Sequence, residues 1–249
     1  RISNLINEHA TRYWNDLQTD FLYNFQIWDI EKIEQELREY IASEYCYSEK
    51  IEDICNATYT NGFCDMCGRY KAPEQTSEGV YEISNIGELY WFRDFVNSGN
   101  TDADAVLTCD ITDNVGVLSG YGVVAEDTSA FRKWIPIGNQ TYKYNGHFDG
   151  QGHTISNMYE QSDLEAWQYE GEYYGLFAYT NGATIKNVTV ADAYISSGRN
   201  EAAGVVGNAV DTTFSDIIIS NTTLIAYNNS AGGVAAECYG NCSFTNITV

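Results

Sequence analysis

One four-residue pattern returns at a nearly constant step through the second half of the chain, and this repetition limits the possible folds more than any other feature. Its copies are T-I-S-N at 154–157, T-I-K-N at 184–187, T-F-S-D at 213–216 and S-F-T-N at 243–246, which begin 30, 29 and 30 residues apart. Glycines at 175, 204 and 233 keep the same step. A fixed period of this size indicates a solenoid, in which each repeat stacks on the next one.

Each repeat holds three short apolar stretches separated by turn residues, and no helical pattern lies between them. In one repeat these stretches are I-K-N-V-T-V, A-Y-I-S and G-V-V-G-N-A-V. Three strands per step predict a mainly β fold, a three-sided parallel β-helix with coils of about 29 residues. The competing leucine-rich solenoid requires an L-x-x-L-x-L signature, which the chain lacks.

The recurring Asn and Asp residues predict a ladder of side chains along the coils. Four residues share the last position of the pattern: Asn157, Asn187, Asp216 and Asn246. We expect them at one corner, about 4.8 Å apart from coil to coil, with their amides turned inward. Gly150 and Gly152 are expected to permit corner conformations and a close approach of the backbone.

The chain divides into three predicted parts: a helical region at 1–45, a cysteine-rich linker at 46–79 and the β-helix at 80–249. In the first part Asp29 is a suitable helix N-cap. An apolar stripe at helical spacing follows it, formed by Ile30, Ile33, Leu37 and Ile41. In the third part the amphipathic segment 84–99 predicts one short helix that ends at Gly99.

Four of the seven cysteines lie in the linker: Cys46, Cys55, Cys64 and Cys67. They predict two disulfides, because other features indicate secretion. A four-cysteine zinc site is the alternative, since C-x-x-C-G is a common half-site, but the first two cysteines lack that spacing.

The other three cysteines lie within the predicted β-helix. Cys238 and Cys242 are close in sequence at a turn, and we expect them to form a disulfide with each other. Cys109 shares its alternation with Leu107 and Ile111, so we expect a buried free thiol there.

The charge is strongly acidic, with 35 acidic and 13 basic residues and a net charge of −22. Such a surface repels nucleic acid and anionic lipid, and it suits cations or a salty exterior. No run of about 18 apolar residues is present, so we expect no membrane insertion. The chain begins at Arg1 without methionine, which indicates a processed product.

Seven N-x-S/T sequons begin at Asn56, Asn139, Asn187, Asn221, Asn228, Asn241 and Asn246. Together with the cysteines they predict a secreted glycoprotein, found outside the cell or on its surface. The alternative is that a Thr-rich strand protein with Asn at its turns forms sequons by chance. We expect glycans at Asn221 and Asn228, and none at Asn187 and Asn246, where an inward amide has no room for a sugar.

Several segments occur in a characteristic order: G-V-Y-E-I-S-N-I-G-E-L-Y-W-F-R-D-F-V-N, A-V-L-T-C-D-I-T, W-I-P-I-G, Y-N-G-H-F-D-G-Q-G-H-T-I-S-N-M-Y and Y-Y-G-L-F-A. In this order they resemble secreted or cell-surface proteins with GLUG-type repeats, over about residues 57–249. The resemblance implies a right-handed parallel β-helix with a helical cap over its N-terminal end, used in surface architecture or adhesion. It implies no catalytic residues that map onto this chain.

Two groups of residues are the candidates for polysaccharide cleavage, which some parallel β-helices catalyse with convergent carboxylates. One is Asp110 with Asp113, and the other is Asp149 with His147 and His153. The turn context of Asp149 also suits a purely structural residue. We therefore expect no enzymatic activity.

The segment E-A-W-Q-Y-E-G-E-Y-Y-G at 165–175 is the candidate for binding a glycan or a partner. Its aromatic residues are Trp167, Tyr169, Tyr173 and Tyr174. The alternative is that these rings fold back onto the coil. Carboxylates elsewhere make Ca²⁺ binding possible, but no D-x-D-x-D-G loop is present, so no metal or cofactor ligands are predicted.

The sequence stops in the first strand of a new coil, and this predicts how copies assemble. Phe244 and Ile247 lie in that strand, where a covering layer is expected. Either the natural chain continues beyond this strand, or another subunit covers it. The helical stripe from Ile30 to Ile41 is the predicted cover, which gives a head-to-tail homopolymer in a fibre or surface layer. A carbohydrate-binding adhesin is the first alternative and a polysaccharide lyase or hydrolase the second.

Overall fold

The computed structural model describes residues 58–65, 68–120, 122–162, 173–198, 201–227 and 229–249. Two compact units divide the chain, with the boundary between Arg69 and Tyr70. The predicted helical region at 1–45 lies outside the described residues. The predicted boundaries at 45 and 79 stay predictions.

The described residues form one α-helix, α1 (Ile86–Asn97), and a series of short strands. In chain order the strands are β1 (Tyr59–Thr60), β2 (Phe63–Cys64), β3 (Glu74–Gln75), β4 (Tyr81–Ile83), β5 (Ala105–Leu107), β6 (Ile111–Thr112), β7 (Leu118–Gly120), β8 (Val123–Val124), β9 (His147–Asp149), β10 (Thr154–Ser156), β11 (Tyr159–Gln161), β12 (Phe177–Asn181), β13 (Thr184–Ala191), β14 (Tyr194–Ser197), β15 (Ala202–Ala203), β16 (Val206–Val210), β17 (Thr213–Ser220), β18 (Thr223–Ala226), β19 (Ala231–Gly232), β20 (Ala235–Tyr239) and β21 (Ser243–Thr248).

A hairpin of β1 and β2 lies in the first unit. Asn61 and Gly62 close it with φ values of 50° and 80°. Two positive φ values in succession are what a type I′ turn requires, and Asn-Gly is the dipeptide that adopts them most readily. The turn sets the antiparallel register, in which Thr60 lies opposite Phe63.

The second unit is mainly β, as the sequence predicts, and its principal strands pair in parallel. The largest sheet contains β4, β5, β9, β13, β17 and β21 in that spatial order, and β3 pairs antiparallel with β4 at its edge. Two further parallel sheets are β11-β14-β18 and β12-β16-β20. Strands β6 and β10 also belong to the largest sheet, where β10 pairs in parallel with β6 and with the second half of β13. The two repeats from Thr184 to Tyr239 each add one strand to each of these three sheets.

The pairing register has the same step as the sequence repeat. Thr184 pairs with Thr213, and Thr213 pairs with Ser243. Tyr194 pairs with Thr223 in the second sheet. These partners lie 29 or 30 residues apart, so the period of the sequence is the distance along the chain between stacked strands.

Apolar side chains at equivalent positions stack in rows. One row contains Phe148, Ile185, Phe214 and Phe244. A second row contains Ile155, Val190 and Ile219. Burying one such side chain stabilises the fold by about 1.5–3 kcal/mol, so each strand that joins the stack extends the core.

A left-handed residue within each long strand changes which side chains are buried. In β17 the buried residues are Phe214, Ile217 and Ile219, which departs from the strict alternation of an extended strand. Asp216, with φ of 55°, stands where the alternation breaks. The strand bends at this left-handed residue, and the same register holds on both sides of it, with Ser215 opposite Lys186 and Ile217 opposite Val188.

Helix α1 has capping residues at both ends. The Asn85 side chain accepts a hydrogen bond from the Glu88 N–H, and the Glu88 carboxylate accepts one from the Ser84 N–H at 2.8 Å. Gly99 follows the helix with φ of 116°, and this confirms the predicted C-terminal signal. Phe92, fully buried, packs its ring 6.4 Å from that of Phe148, between centroids.

A second cluster of apolar residues lies beside the β11-β14-β18 sheet. Val117, Tyr159 and Tyr194 are its buried members. The antiparallel hairpin of β7 and β8 packs there, and the Thr223 hydroxyl donates to the Gly122 carbonyl oxygen at 2.7 Å. This segment therefore covers part of one parallel sheet.

The turn between β9 and β10 needs its two glycines for different reasons. A Cβ atom at Gly150 would collide with the carbonyl oxygen of Asn187, so only glycine allows this approach. Gly152 has open space around it but a φ of 83°, which disfavours other residues. Both predicted uses of glycine are confirmed.

Candidate functional site

Asn and Asp residues in the left-handed conformation recur in the described turns of the second unit and where its long strands bend. Their φ values lie between 43° and 59° for Asn157, Asn187, Asp192, Asp211, Asp216, Asn221 and Asn246. Asn and Asp tolerate this conformation better than other residues with a Cβ. The backbone therefore explains why these two residue types recur in the sequence.

The first corner row consists of Asp149, Asn187, Asp216 and Asn246, in which acids and amides alternate along the stack. The Asn187 Nδ2 donates to Asp149 Oδ1 at 2.9 Å, and the Asn246 Nδ2 donates to Asp216 Oδ1 at 2.9 Å. An amide donor beside each carboxylate replaces the repulsion that adjacent acids would suffer.

The second corner row consists of Asn157, Asp192 and Asn221. Ser156 pairs with Ala191, and Ala191 pairs with Ser220, so the three residues that follow these partners stand side by side. The Asn221 Nδ2 donates to Asp192 Oδ1 at 2.6 Å.

Asn157 therefore lies beside Asp192, and the prediction that it lies beside Asn187 is wrong. Asp149 pairs with Lys186 and Thr154 pairs with Thr189. Four residues, 150–153, lie between Asp149 and Thr154, whereas only two lie between their partners Lys186 and Thr189. Because of the two extra residues, the T-I-S-N copy pairs with the second half of β13.

The first corner row faces outward, which corrects the expectation of inward amides. Asp216 and Asn246 are exposed. A shallow groove runs along the row, lined by Asp149, Gln151, Gly152, Asn187, Thr189, Asp216 and Ile218. It presents carboxylate, amide and hydroxyl groups at the spacing of the strands.

Asp149 is the most buried carboxylate of the groove. Burial alone would raise the pKa of Asp149, but hydrogen bonds from Asn187, from the Gln151 N–H and from Lys186 outweigh burial and lower the pKa. The Lys186 Nζ lies 3.2 Å from Asp149 Oδ2. Asp149 is therefore ionised and held in place by neighbours on the adjacent strand.

The structure does not bring together the predicted catalytic group of Asp149, His147 and His153. The His147 Nδ1 lies 2.9 Å from Asp104 Oδ1, and the His153 Nδ1 lies 3.3 Å from Asp110 Oδ1. The same aspartate oxygens accept backbone N–H bonds from His147 and Thr154. These pairs join neighbouring strands at the surface.

Asp110 and Asp113 are also separated. The Asp113 side chain is fully buried, and the Tyr90 hydroxyl lies 3.1 Å from both of its oxygens. The Arg132 Nε lies 3.6 Å away. Burial raises the pKa of Asp113 to about 6, even though the Tyr90 hydrogen bond and the Arg132 charge act against it. Asp113 is a buried structural acid.

A group of polar residues that the sequence did not predict surrounds Glu237. Tyr173, Tyr239 and Asn208 all donate to Glu237 Oε2, at 2.9, 3.0 and 3.2 Å. Glu201 adds a second carboxyl group, which is hydrogen-bonded to Glu237. Burial, and then the Glu237 charge, raise the pKa of Glu201. We call these five residues the Glu237 cluster.

Of the predicted aromatic platform, Trp167 and Tyr169 lie outside the described residues. Tyr174 is 7% exposed, so its ring packs within the protein and offers no open face for a sugar. Tyr173 packs against Tyr179, with ring centroids 4.8 Å apart, and its hydroxyl belongs to the Glu237 cluster. For Tyr173 and Tyr174, the packing agrees with the alternative that the aromatic rings fold back onto the protein.

Cys109 does not face the core as predicted. Strand β5 ends at Leu107, and the Cys109 thiol lies at a partly exposed position, 2.8 Å from the Ser84 carbonyl oxygen. Burial, followed by the charges of Asp110 and Glu88, raises the pKa of Cys109. The alternation failed because the strand is too short to reach this residue.

The remaining cysteine predictions stay open. Cys238 and Cys242 are thiols in the structure, and burial together with Cys242 raises the pKa of Cys238 to about 11. Cys64 is buried, and its predicted partners Cys46, Cys55 and Cys67 lie outside the described residues. All these pairings stay predictions.

The predicted assembly residues are described only in part. Phe244 is 46% exposed, and its ring stacks on that of Phe214 with centroids 4.9 Å apart. Ile247 is partly buried. Ile30, Ile33, Leu37 and Ile41 lie outside the described residues.

Within the described residues, no three His, Cys, Asp or Glu side chains gather as a metal site would require. In the same part of the chain, no helix has the length and apolar character needed to cross a bilayer.

Comparison with known proteins gives one informative similarity. The chain is similar to a segment of Halomucin from Haloquadratum walsbyi. The two are 28% identical over 164 residues, which cover 64% of this chain and 2% of Halomucin. The chain thus spans a small fraction of that relative's length. No family model matches the chain, and no solved structure matches it significantly. The resemblance to GLUG-type repeat proteins stays a prediction.

Proposed function

We propose that this chain is a segment of an extracellular surface glycoprotein, and that it serves there as a structural building block. In this proposal the strands of residues 80–249 form a right-handed parallel β-helix, as the resemblance to GLUG-type repeats implies. The similarity to Halomucin, a protein named as a mucin, agrees with an extracellular glycoprotein. The net charge of −22 and the seven sequons point the same way.

The observation that carries the structural role is that the two repeats from Thr184 to Tyr239 each add one parallel strand to each of three sheets. A stack of this kind grows by about 4.8 Å per repeat, so its length depends on the number of repeats alone. The alternating acids and amides of the corner rows support such growth, because each added repeat brings a donor or an acceptor for its neighbour.

The proposal extends to assembly into a fibre or a surface layer. Phe244 continues the row of Phe148, Ile185 and Phe214 but keeps nearly half of its surface exposed. A further layer of side chains would bury it. We propose that this layer comes from a further coil or from the stripe of Ile30 to Ile41 of a second copy.

Two experiments test this function. Intact cells of the source organism are labelled with an antibody against the chain, and signal without permeabilisation supports the surface location. Signal only after permeabilisation contradicts it. Negative-stain microscopy of the purified protein tests assembly, since fibres that disappear on deletion of residues 1–45 support the joint. Fibres that persist after this deletion contradict it.

A further inference from the structure

Five of the seven sequon asparagines lie in the described residues, and their surroundings divide them into two groups. They are Asn139, Asn187, Asn221, Asn241 and Asn246. An N-linked glycan is attached to the side-chain amide nitrogen, Nδ2, so the hydrogen bonds of this atom and the freedom of its backbone matter. Asn56 and Asn228 lie outside the described residues.

In the first group, the corner rows already use Nδ2. Asn187 and Asn246 donate to Asp149 and Asp216, and Asn221 donates to Asp192. Asn187 and Asn246 lie inside β13 and β21, and all three residues have positive φ. Strand pairing of the residues on either side fixes the backbones of Asn187 and Asn246.

The Asn221 sequon is further restricted at its hydroxyl. Thr223, the third residue of this sequon, donates its hydroxyl proton to the Gly122 carbonyl oxygen under the β7–β8 hairpin. Both groups that define the sequon are thus engaged in the fold, and this argues against the glycan expected there.

In the second group, the sequons lie in loops. Asn139 precedes a short bend, and its Oδ1 accepts hydrogen bonds from the Thr141 N–H at 3.0 Å and the Tyr142 N–H at 2.8 Å. These bonds orient the amide through its oxygen. Thr141 is exposed, so the hydroxyl of this sequon is open to solvent.

Asn241 lies in the turn between β20 and β21. The third residue of its sequon, Ser243, begins β21 and donates its hydroxyl proton to Thr213 Oγ1 at 3.3 Å, so this sequon differs from that of Asn139 at the hydroxyl. The Asn241 backbone N–H donates to Asp211 Oδ1 at 2.7 Å, which fixes the main chain, and the residue is exposed. In the described part of the chain, the Nδ2 atoms of Asn139 and Asn241 make no hydrogen bond comparable to those of the corner rows.

We propose that N-linked glycans occupy Asn139 and Asn241, and that Asn187, Asn221 and Asn246 stay unmodified. In the transfer, Nδ2 forms a bond to the anomeric carbon of a lipid-phosphate-linked oligosaccharide. The bond from that carbon to the phosphate oxygen breaks, and Nδ2 loses one proton. No oxidant or reductant takes part. The inference rests on the proposed extracellular location, because N-linked glycans are transferred to chains that are being exported.

The test expresses the full chain behind a secretion signal in a host that performs N-glycosylation, and maps site occupancy on glycopeptides. Thr141→Ala removes the Asn139 sequon but keeps Asn139 and its turn. Thr189→Ala is the matched control, because it removes the Asn187 sequon but keeps Asn187 and its bond to Asp149. We expect T141A to carry one glycan fewer than the parent and T189A to carry the same number of glycans as the parent.

Occupancy at Asn187, Asn221 or Asn246, or an unmodified Asn139 or Asn241, overturns the inference. The host's secretion signal delivers the chain wherever its native location is, so this result does not depend on the proposed function. Surface labelling of the native organism tests that function separately.

Discussion

The Asn221 Nδ2 lies 2.6 Å from Oδ1 of Asp192, which follows β13 and stands 29 residues earlier in the chain. Asn221 also has a φ of 43°. One side chain therefore meets two demands of the repeat, a left-handed backbone and a donor for the neighbouring acid.

Replacing Asn221 separates these two contributions. We expect Asn221→Ala to lower the free energy of unfolding by about 1–3 kcal/mol, because it loses a charge-assisted hydrogen bond and strains the backbone. Asn221→Gly accepts the same φ and should lose less. Urea denaturation of the three proteins measures this, and equal stability of the alanine variant and the parent would argue against the corner row.

Gly150 and Gly152 give a matched pair in the turn between β9 and β10. Gly150→Ala forces a Cβ into the Asn187 carbonyl oxygen, whereas Gly152→Ala meets open space and only an unfavourable φ. The second change should cost about 1 kcal/mol and the first clearly more. Thermal unfolding ranks the two, and the reverse order would show that β9 does not approach β13 this closely.

Asp113 predicts a dependence of stability on pH. Its pKa is raised from 3.8 to about 6 in the folded protein, so folding favours the protonated form. The stabilising contribution is complete below about pH 4 and is lost as pH rises through 6, by about 3 kcal/mol at most.

Asp113→Asn should flatten this loss between pH 4 and pH 6 in urea denaturation at several pH values. Asp110→Asn is the control, because the pKa of Asp110 shifts in the opposite direction. Backbone and side-chain hydrogen bonds from Thr154 and His153 lower the pKa of Asp110. The contribution of Asp110 to stability is therefore present above the ordinary pKa of an aspartate and is lost as the pH falls through the lowered pKa. An unchanged pH profile in D113N would contradict the burial of this acid.

The Glu237 cluster gives a second pH-dependent prediction. The pKa of Glu201 is raised, so its stabilising contribution is present below its ordinary pKa and is lost as pH rises through the folded value. Glu201→Gln keeps a donor toward Glu237 at every pH, and it should reduce that loss of stability. Tyr173→Phe should weaken the cluster at all pH values. A steeper loss of stability in E201Q than in the parent would contradict the hydrogen bond between Glu201 and Glu237.

The parts that local patterns determine were predictable from the sequence. The period of 29 or 30 residues appears directly as strand register, and the amphipathic segment 84–99 with Gly99 at its end predicted α1. Asn157 was misplaced because the two added residues between Asp149 and Thr154 leave the T-I-S-N letters unchanged while they shift the pairing.

Other features depend on contacts between repeats that no single segment reveals. Glu237 meets Asn208 because the two pair across β16 and β20, and the period of 29 was the one available signal for that contact. The Tyr173 hydroxyl reaches Glu237 from a segment 64 residues earlier in the chain. The burial of Asp113 against Tyr90 depends on how α1 packs, which its own sequence does not specify.

Successive repeats stack in parallel, with paired residues 29 or 30 positions apart along the chain from Thr184 onward. A crystal structure of the full chain tests this stacking most directly. It should show Asn187, Asp216 and Asn246 in one row, with neighbouring Cα atoms about 4.8 Å apart, and Asn157 beside Asp192 in the other. Corner residues scattered over different faces, or antiparallel pairing of β13 with β17, would contradict the account.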